Sequence, residues 1–211
     1  EERIDQFGEL EGWREVSFRE ISRGSAYDAV QGGELLRITS EAGASMLVWQ
    51  EEFDVYETPV VQWRWQVTRE LDNQDLRSKE GDDAPIRLYI AFRRPLQERS
   101  FGERLWGRLQ ENLYGAVPPD SALNFVWSDA YPPEEAFLSA YTEKQYIVIP
   151  KPLAGGSFAP GEWLEHRVNV LETYRELFGQ EPPREAFIAV MGDSDNTGGS
   201  SEAFLDYLYI R

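Results

Sequence analysis

The chain has 211 residues, 38 of them acidic against 21 basic, for a net charge of −17. That balance argues against a nucleic-acid partner, which requires a basic footprint, and favours a surface that attracts cations. The absence of Cys excludes disulfides, zinc thiolates and thiol catalysis, and the lone His166 excludes poly-His metal sites.

No stretch approaches the ~18 apolar residues of a membrane span, so no transmembrane segment is expected. The chain begins at Glu1 without a signal peptide, which reads as a trimmed or processed mature form. Near the start, "IDQFGELEGW" carries Asp5, Glu9 and Glu11. "SFREIS", "ELLRITS" and "SMLVWQ" then read as strands separated by "QGG" and "EAGA" turns. "VVQWRWQV" alternates with period two, placing Val61, Trp63, Trp65 and Val67 on one face and Gln62, Arg64 and Gln66 on the other. "GDD" at 81–83 leads into "PIRLYIAF", which turns Ile86, Leu88, Ile90 and Phe92 inward and Arg87 and Tyr89 the other way.

Residues 94–119 read as a helical insertion, because "SFGERLWGRLQENLYG" spaces Phe101, Leu105, Leu109 and Leu113 four apart. "ALNFVWS", "QYIVIP" and "WLEHRVNV" resume the strand pattern. "VLETYRELFG" is a second helix stopped by Gly179. "AFIAVMGD" and "AFLDYLYI" close the chain as strands around the loop "DSDNTG". About ten short strands with turn signals between them predict a mainly β, two-sheet antiparallel β-sandwich, a jelly roll with two short helices, formed by residues 1–211 as one domain.

"WRWQV", "GDDAPIRLYIAF", "ALNFVW", "RVNVLETYRELFG" and "AVMGDSDNTGGSSEAFLDYLYI" occur in this order. Together they resemble the uncharacterised bacterial family known as domain of unknown function 3047, over roughly residues 5–211. The resemblance implies a fold and an exported, periplasmic location rather than an activity. Ahead of Tyr174 this chain has Glu172-Thr173, where the family pattern more often has an Asp just before the Tyr. The arrangement also looks like the galactose-binding-like jelly roll of carbohydrate-binding modules.

Three constellations carry chemistry. Asp83, Arg87 and Tyr89 share a face by alternation, Asn124 extends them from another strand, and His166 sits on a further strand. Such a polar-aromatic face suits sugar hydroxyls; the plain alternative is an internal Asp83–Arg87 ion pair. Asp193, Asp195 and Asn196 in "DSDNTG" place oxygen donors at the rim of that face, although the twelfth position from Asp193 is Phe204, which rules out an EF-hand. An ordinary tight turn is the other reading of that loop. Asp206 shares a face with Phe204, Leu208 and Ile210. In a core it needs a partner: a structural calcium held with Asp5 and Glu9, an Arg, or backbone N–H groups.

These features favour a non-catalytic binding domain for a saccharide or cell-envelope component. The alternatives are a glycan hydrolase or lyase on a sandwich, and a structural envelope protein docking a partner through the 94–119 helix.

Overall fold

The computed structural model describes residues 2–98 and 119–211. The helix expected in "SFGERLWGRLQENLYG", and with it most of the 94–119 insertion, lies outside the described residues.

The alternation in "VVQWRWQV" decides the interior. β6 (Val60–Arg69) points Val61, Trp63, Trp65 and Val67 inward, all fully buried. It belongs to a sheet ordered β11-β6-β13-β4-β3, built with β3 (Ala26–Val30), β4 (Leu35–Glu41), β11 (Trp163–Asn169) and β13 (Ser200–Ile210). β1 (Glu2–Ile4) adds to the end of β13, with Glu2 opposite Ile210. The facing sheet runs β2-β5-β12-β7-β8-β10-β9. Its strands are β2 (Trp13–Ser17), β5 (Ala44–Asp54), β7 (Ala84–Arg93), β8 (Ser121–Val126), β9 (Ala136–Leu138), β10 (Gln145–Val148) and β12 (Glu185–Asp193). Pairing is antiparallel except between β8 and β10.

Ile86, Leu88, Ile90 and Phe92 of β7 and Leu123 and Phe125 of β8 meet the β6 face. Trp63 reaches across to Phe125 with ring centroids 5.2 Å apart. The predicted sandwich is therefore present, and its core is made by residues that alternate on both inner faces. One predicted helix is present as α1 (Val170–Phe178). Asn169 caps it by accepting the Glu172 N–H at 3.1 Å, and Gly179 ends it in the left-handed region at φ 65°. Its Tyr174 packs edge-on against Phe92 and hydrogen-bonds Ser121 Oγ at 2.9 Å, fixing the helix to the sandwich edge.

The structure corrects three expectations here. "SFREIS" is not a strand: β2 ends at Ser17, and residues 18–22 form a loop. His166 lies inside the core, not on a ligand-facing surface. It stands opposite Trp63 in the β11–β6 ladder, its ring 5.2 Å from both Trp63 and Trp65. Its Nδ1 is 3.0 Å from the Lys151 carbonyl, and burial pushes the imidazole down to about 4.

The third concerns Asp206. β13 carries an extra residue there: Leu205 pairs with Trp65, but Tyr207 already pairs with Arg64. This β-bulge resets the alternation, so Ala203, Leu205, Leu208 and Ile210 face the core while Phe204 and Asp206 face outward. Asp206 accepts from Arg64 Nη1 at 2.9 Å. Asp5 pairs with Arg3 at 2.5 Å, and Glu9 sits in a separate 3-10 turn (Gly8–Leu10). The expected calcium set of Asp206, Asp5 and Glu9 does not assemble; an arginine is the partner.

Candidate functional site

The outward face of the seven-stranded sheet is a lattice of side chains set by strand register. One row reads Ala122, Ala91 and Phe187 across β8, β7 and β12. The next reads Asn124, Tyr89 and Ala189, and the next Val126, Arg87 and Met191, with Met46 beyond on β5. Alanines at three crossing points leave a hollow that larger side chains would fill. The hollow is a cavity of about 610 Å³. Phe18, Arg19, Glu20 and Ile21 of the loop after β2 form one wall, and Ser139, Tyr141 and Gln145 another. Its polar end is built by Asp82, Arg87, Asp193, Asp195 and Asn196.

That end is organised by Arg87. Its guanidinium is 2% exposed and grips Asp193 in a fork, Nε to Oδ1 at 2.7 Å and Nη2 to Oδ2 at 2.9 Å. Nη1 donates to Asp82 Oδ1 at 2.8 Å and Nη2 to the Asp82 carbonyl at 2.7 Å. Burial opposes the Arg87 charge, yet Asp193 and Asp82 beside it raise its pKa well above the ordinary value. Burial pushes the Asp193 carboxyl up to about 7, with Arg87 pulling the other way. The fork depends on close strand approach at Gly192, where a Cβ would stand 2.6 Å from the Pro85 carbonyl oxygen. A register shift at the same place sets Asp193 opposite Ala84, whose N–H it accepts at 3.1 Å.

Asp83 behaves differently from expectation. Its N–H turns back to the Gly81 carbonyl, so regular alternation begins only at Ala84. The Asp83 carboxylate therefore points to the "DSDNTG" loop, accepting N–H bonds from Asn196 at 3.2 Å and Thr197 at 2.6 Å. The Arg87 partners are Asp82 and Asp193, not Asp83. Asn196 in turn donates to the Tyr141 hydroxyl at 2.7 Å and to the Lys79 carbonyl, tying three loops together at the rim.

Asp195 is half-buried and lines the cavity; burial and the nearby Asp83 charge raise its pKa. Asp83, Asp193 and Asp195 bring one carboxylate oxygen each within 4.8 Å of one another. Both Asp193 oxygens are already held by Arg87 and both Asp83 oxygens by backbone N–H groups, whereas the Asp195 carboxylate has only a backbone N–H and no side-chain donor among the described residues. Asn124 is fully buried opposite Tyr89; its amide makes no hydrogen bond of standard geometry and interacts with the phenol only loosely.

Of the eight residues expected to bind ligand, the structure brings Arg87, Tyr89, Asp193, Asp195 and Asn196 to the cavity, with Asp83 and Asn124 packed behind it. His166 is on the other sheet. Sequence reasoning missed Asp82, Tyr141 and Phe187. The signal for Phe187 was present, because Phe187, Ala189, Met191 and Asp193 alternate in "AFIAVMGD" exactly as Arg87 and Tyr89 do in β7.

Residues 11–209, nearly the whole chain, match the family described as "Protein of unknown function (DUF3047)". No curated protein matches. Among solved structures, the chain is similar to a family 30 carbohydrate-binding module of a Clostridium thermocellum cellulosomal cellulase, at 10% identity and TM-score 0.42, covering 94% of this chain and 91% of that one. It is also similar to a cellulase derived from Cel12A of Rhodothermus marinus, at 10% identity and TM-score 0.47, covering 100% and 96%. A third is the Lotus tetragonolobus seed lectin, at 8% identity and TM-score 0.43, covering 100% and 98%. These likenesses are loose, and what this chain binds is argued from its own residues.

Proposed function

We propose that this chain, which belongs to the DUF3047 family, is a saccharide-binding domain whose site is the hollow on the outward face of the seven-stranded sheet. The observation that carries the reading is the division of that hollow. Its floor and walls are apolar and aromatic, with Ala91, Ala122, Ala189, Tyr89 and Phe187, while one end gathers Asp82, Arg87, Asp193, Asp195 and Asn196. A pyranose has the matching division: a face of C–H groups that packs on aromatic rings and a rim of hydroxyls that seek fixed donors and acceptors. The Arg87 fork holds the carboxylates in place before ligand arrives, which lowers the ordering cost of binding.

In this reading Arg87 and Asp83 are positioning residues, and Asp195, Asn196 and Tyr89 face the ligand. A cell-envelope glycan is the natural class, and an exported location follows from such a ligand. Among the described residues no helix is long and apolar enough to cross a membrane. Among the described residues the acids that group closely are Asp83, Asp193 and Asp195, and there Arg87 already supplies one positive charge.

A glycan-binding screen with and without calcium tests the reading. We expect oligosaccharide binding to the wild type and its loss in Ala122→Phe, which fills the hollow, with the melting temperature retained. Binding that survives this substitution places the site elsewhere.

A second reading, a glycan hydrolase, draws on the position of Asp193 beside a second carboxylate, where burial pushes its carboxyl up to about 7. Against it, both Asp193 oxygens are committed to the guanidinium, so Asp193 is not free to protonate a glycosidic oxygen and Asp195 alone is left to do so. Release of new reducing ends from a bound glycan, abolished by Asp195→Asn, decides for the enzyme.

A further inference from the structure

The polar end of the hollow is not electrically balanced. Four carboxylates, Asp82, Asp83, Asp193 and Asp195, gather about the buried guanidinium of Arg87, and with the Lys79 ammonium at the rim and Arg19 set against Glu20 in the wall they still leave an excess of negative charge. Asp82 and Asp193 between them overcompensate Arg87 by one charge. Asp83 is met only by backbone N–H groups. Asp195 is half-buried and has no side-chain donor among the described residues, while its neighbours in charge are mostly other acids. Beside an apolar cavity, where water screens poorly, such an excess of negative charge attracts a cation strongly.

Two kinds of cation could answer it. A calcium ion needs six to eight oxygens around it. Here two of the three clustered carboxylates already have both oxygens engaged, and the third opens onto a hollow whose remaining lining is largely aromatic and aliphatic. An organic ammonium needs less: one or two carboxylate acceptors, and a body that packs on apolar walls. Tyr141 at the rim already takes Lys79 Nζ at 5.4 Å from its ring centroid, so ammonium groups sit well at this edge.

Resting on the saccharide reading above, we infer that the ligand is an amine-bearing saccharide, with its ring in the hollow and its ammonium against Asp195 beside Asp82. A neutral or N-acetylated sugar would leave the excess charge unanswered, and an acidic sugar would be repelled by it.

The test is calorimetric titration with glucosamine oligomers and with their N-acetylated counterparts of equal length, at a pH where the amine is protonated and the carboxylates are ionised. The expected result is a preference of about tenfold or more for the amine form, reduced by added salt. Asp195→Asn should bring the two ligands to within about twofold of each other. The melting temperature of this variant should not fall, since the Asp195 carboxylate has no side-chain donor to lose among the described residues and its charge is disfavoured by burial and by Asp83. Equal or tighter binding of the N-acetylated oligomer overturns the inference and leaves the saccharide reading standing. Failure of both oligomers and of neutral glycans to bind overturns both. A melting temperature raised by calcium alone in the wild type, but not in Asp195→Asn, assigns the acids to a metal and also overturns it.

Discussion

On the outward face of the six-stranded sheet, Arg64 meets Asp206 and Arg37 meets Glu202 with side chains 19–42% exposed. On the outward face of the seven-stranded sheet, Arg87 meets Asp82 and Asp193 with side chains 2–5% exposed. The residue types are the same and the distances similar, but the energetics differ. Water solvates the first two pairs in either state, so each contributes little. The second has lost that water, and its desolvation is offset only because four of the five Arg87 N–H groups find an oxygen. The loops that wall the cavity, among them residues 18–21 and 195–196, cover the Arg87 network. A buried ionic network on an outer face is weak evidence for stability, and it is more simply explained as a device that fixes the geometry of the hollow beside it.

The comparison breaks most readily at Arg87. Arg87→Met should lower unfolding stability by about 3–5 kcal/mol in urea titrations at neutral pH, because Asp82 and Asp193 stay buried without a counter-ion. A loss below about 1 kcal/mol would show that water reaches the acids and that the two faces do not differ. Replacing Arg87 and Asp193 together by Met and Leu should restore only part of the loss, since Asp82 stays buried without its guanidinium.

His166 sharpens it from the interior. Its folded pKa, about 4, lies below the ordinary 6.5, so between those values the unfolded chain binds a proton that the folded chain refuses. Stability from this group is complete above pH 6.5 and is lost as pH falls towards 4, by about 3 kcal/mol. Wild type and His166→Gln, unfolded in urea across that range, should therefore differ by an amount that shifts against the wild type on acidification. Parallel profiles would mean that the imidazole is solvated.

The smallest effect belongs to the solvated face. Asp206→Ala and Arg64→Ala should each cost less than about 1 kcal/mol. A chelator should leave the melting temperature of both variants and of the wild type unchanged. A chelator-sensitive wild type with an insensitive Asp206→Ala would return a metal to β13.

The core was legible in the sequence wherever both neighbours of a strand enforce strict alternation. β6 and β7 are such strands: Trp63, Trp65, Leu88 and Ile90 were assigned inward from period two alone. A bulge defeats this logic, since one extra residue at Asp206 shifts every later side chain to the opposite face, and composition gives no sign of it. "SFREIS" misleads in another way. Phe18 and Ile21 are apolar because they wall a cavity, not because they face a core. β3 and β9 escaped notice as short edge or near-edge strands with weak alternation. The site was half legible: Arg87 and Tyr89 follow from their strand, but the Arg87–Asp193 fork joins residues 106 apart in sequence and needs the β7–β12 pairing to be known. The choice of Asp82 over Asp83 turns on a single backbone hydrogen bond at Gly81.

The positions of β12 and β13 have a bearing on biogenesis. β12 lies between β5 and β7, and β13 between β4 and β6, so each sheet is split down its middle until residues 185–210 have been synthesised. Before then the ribosome has released strands whose edges have no mates, in a topology where closure waits on distant segments. Such a nascent chain stays open almost to completion, and until β12 and β13 arrive it exposes strand edges that pair readily with other copies.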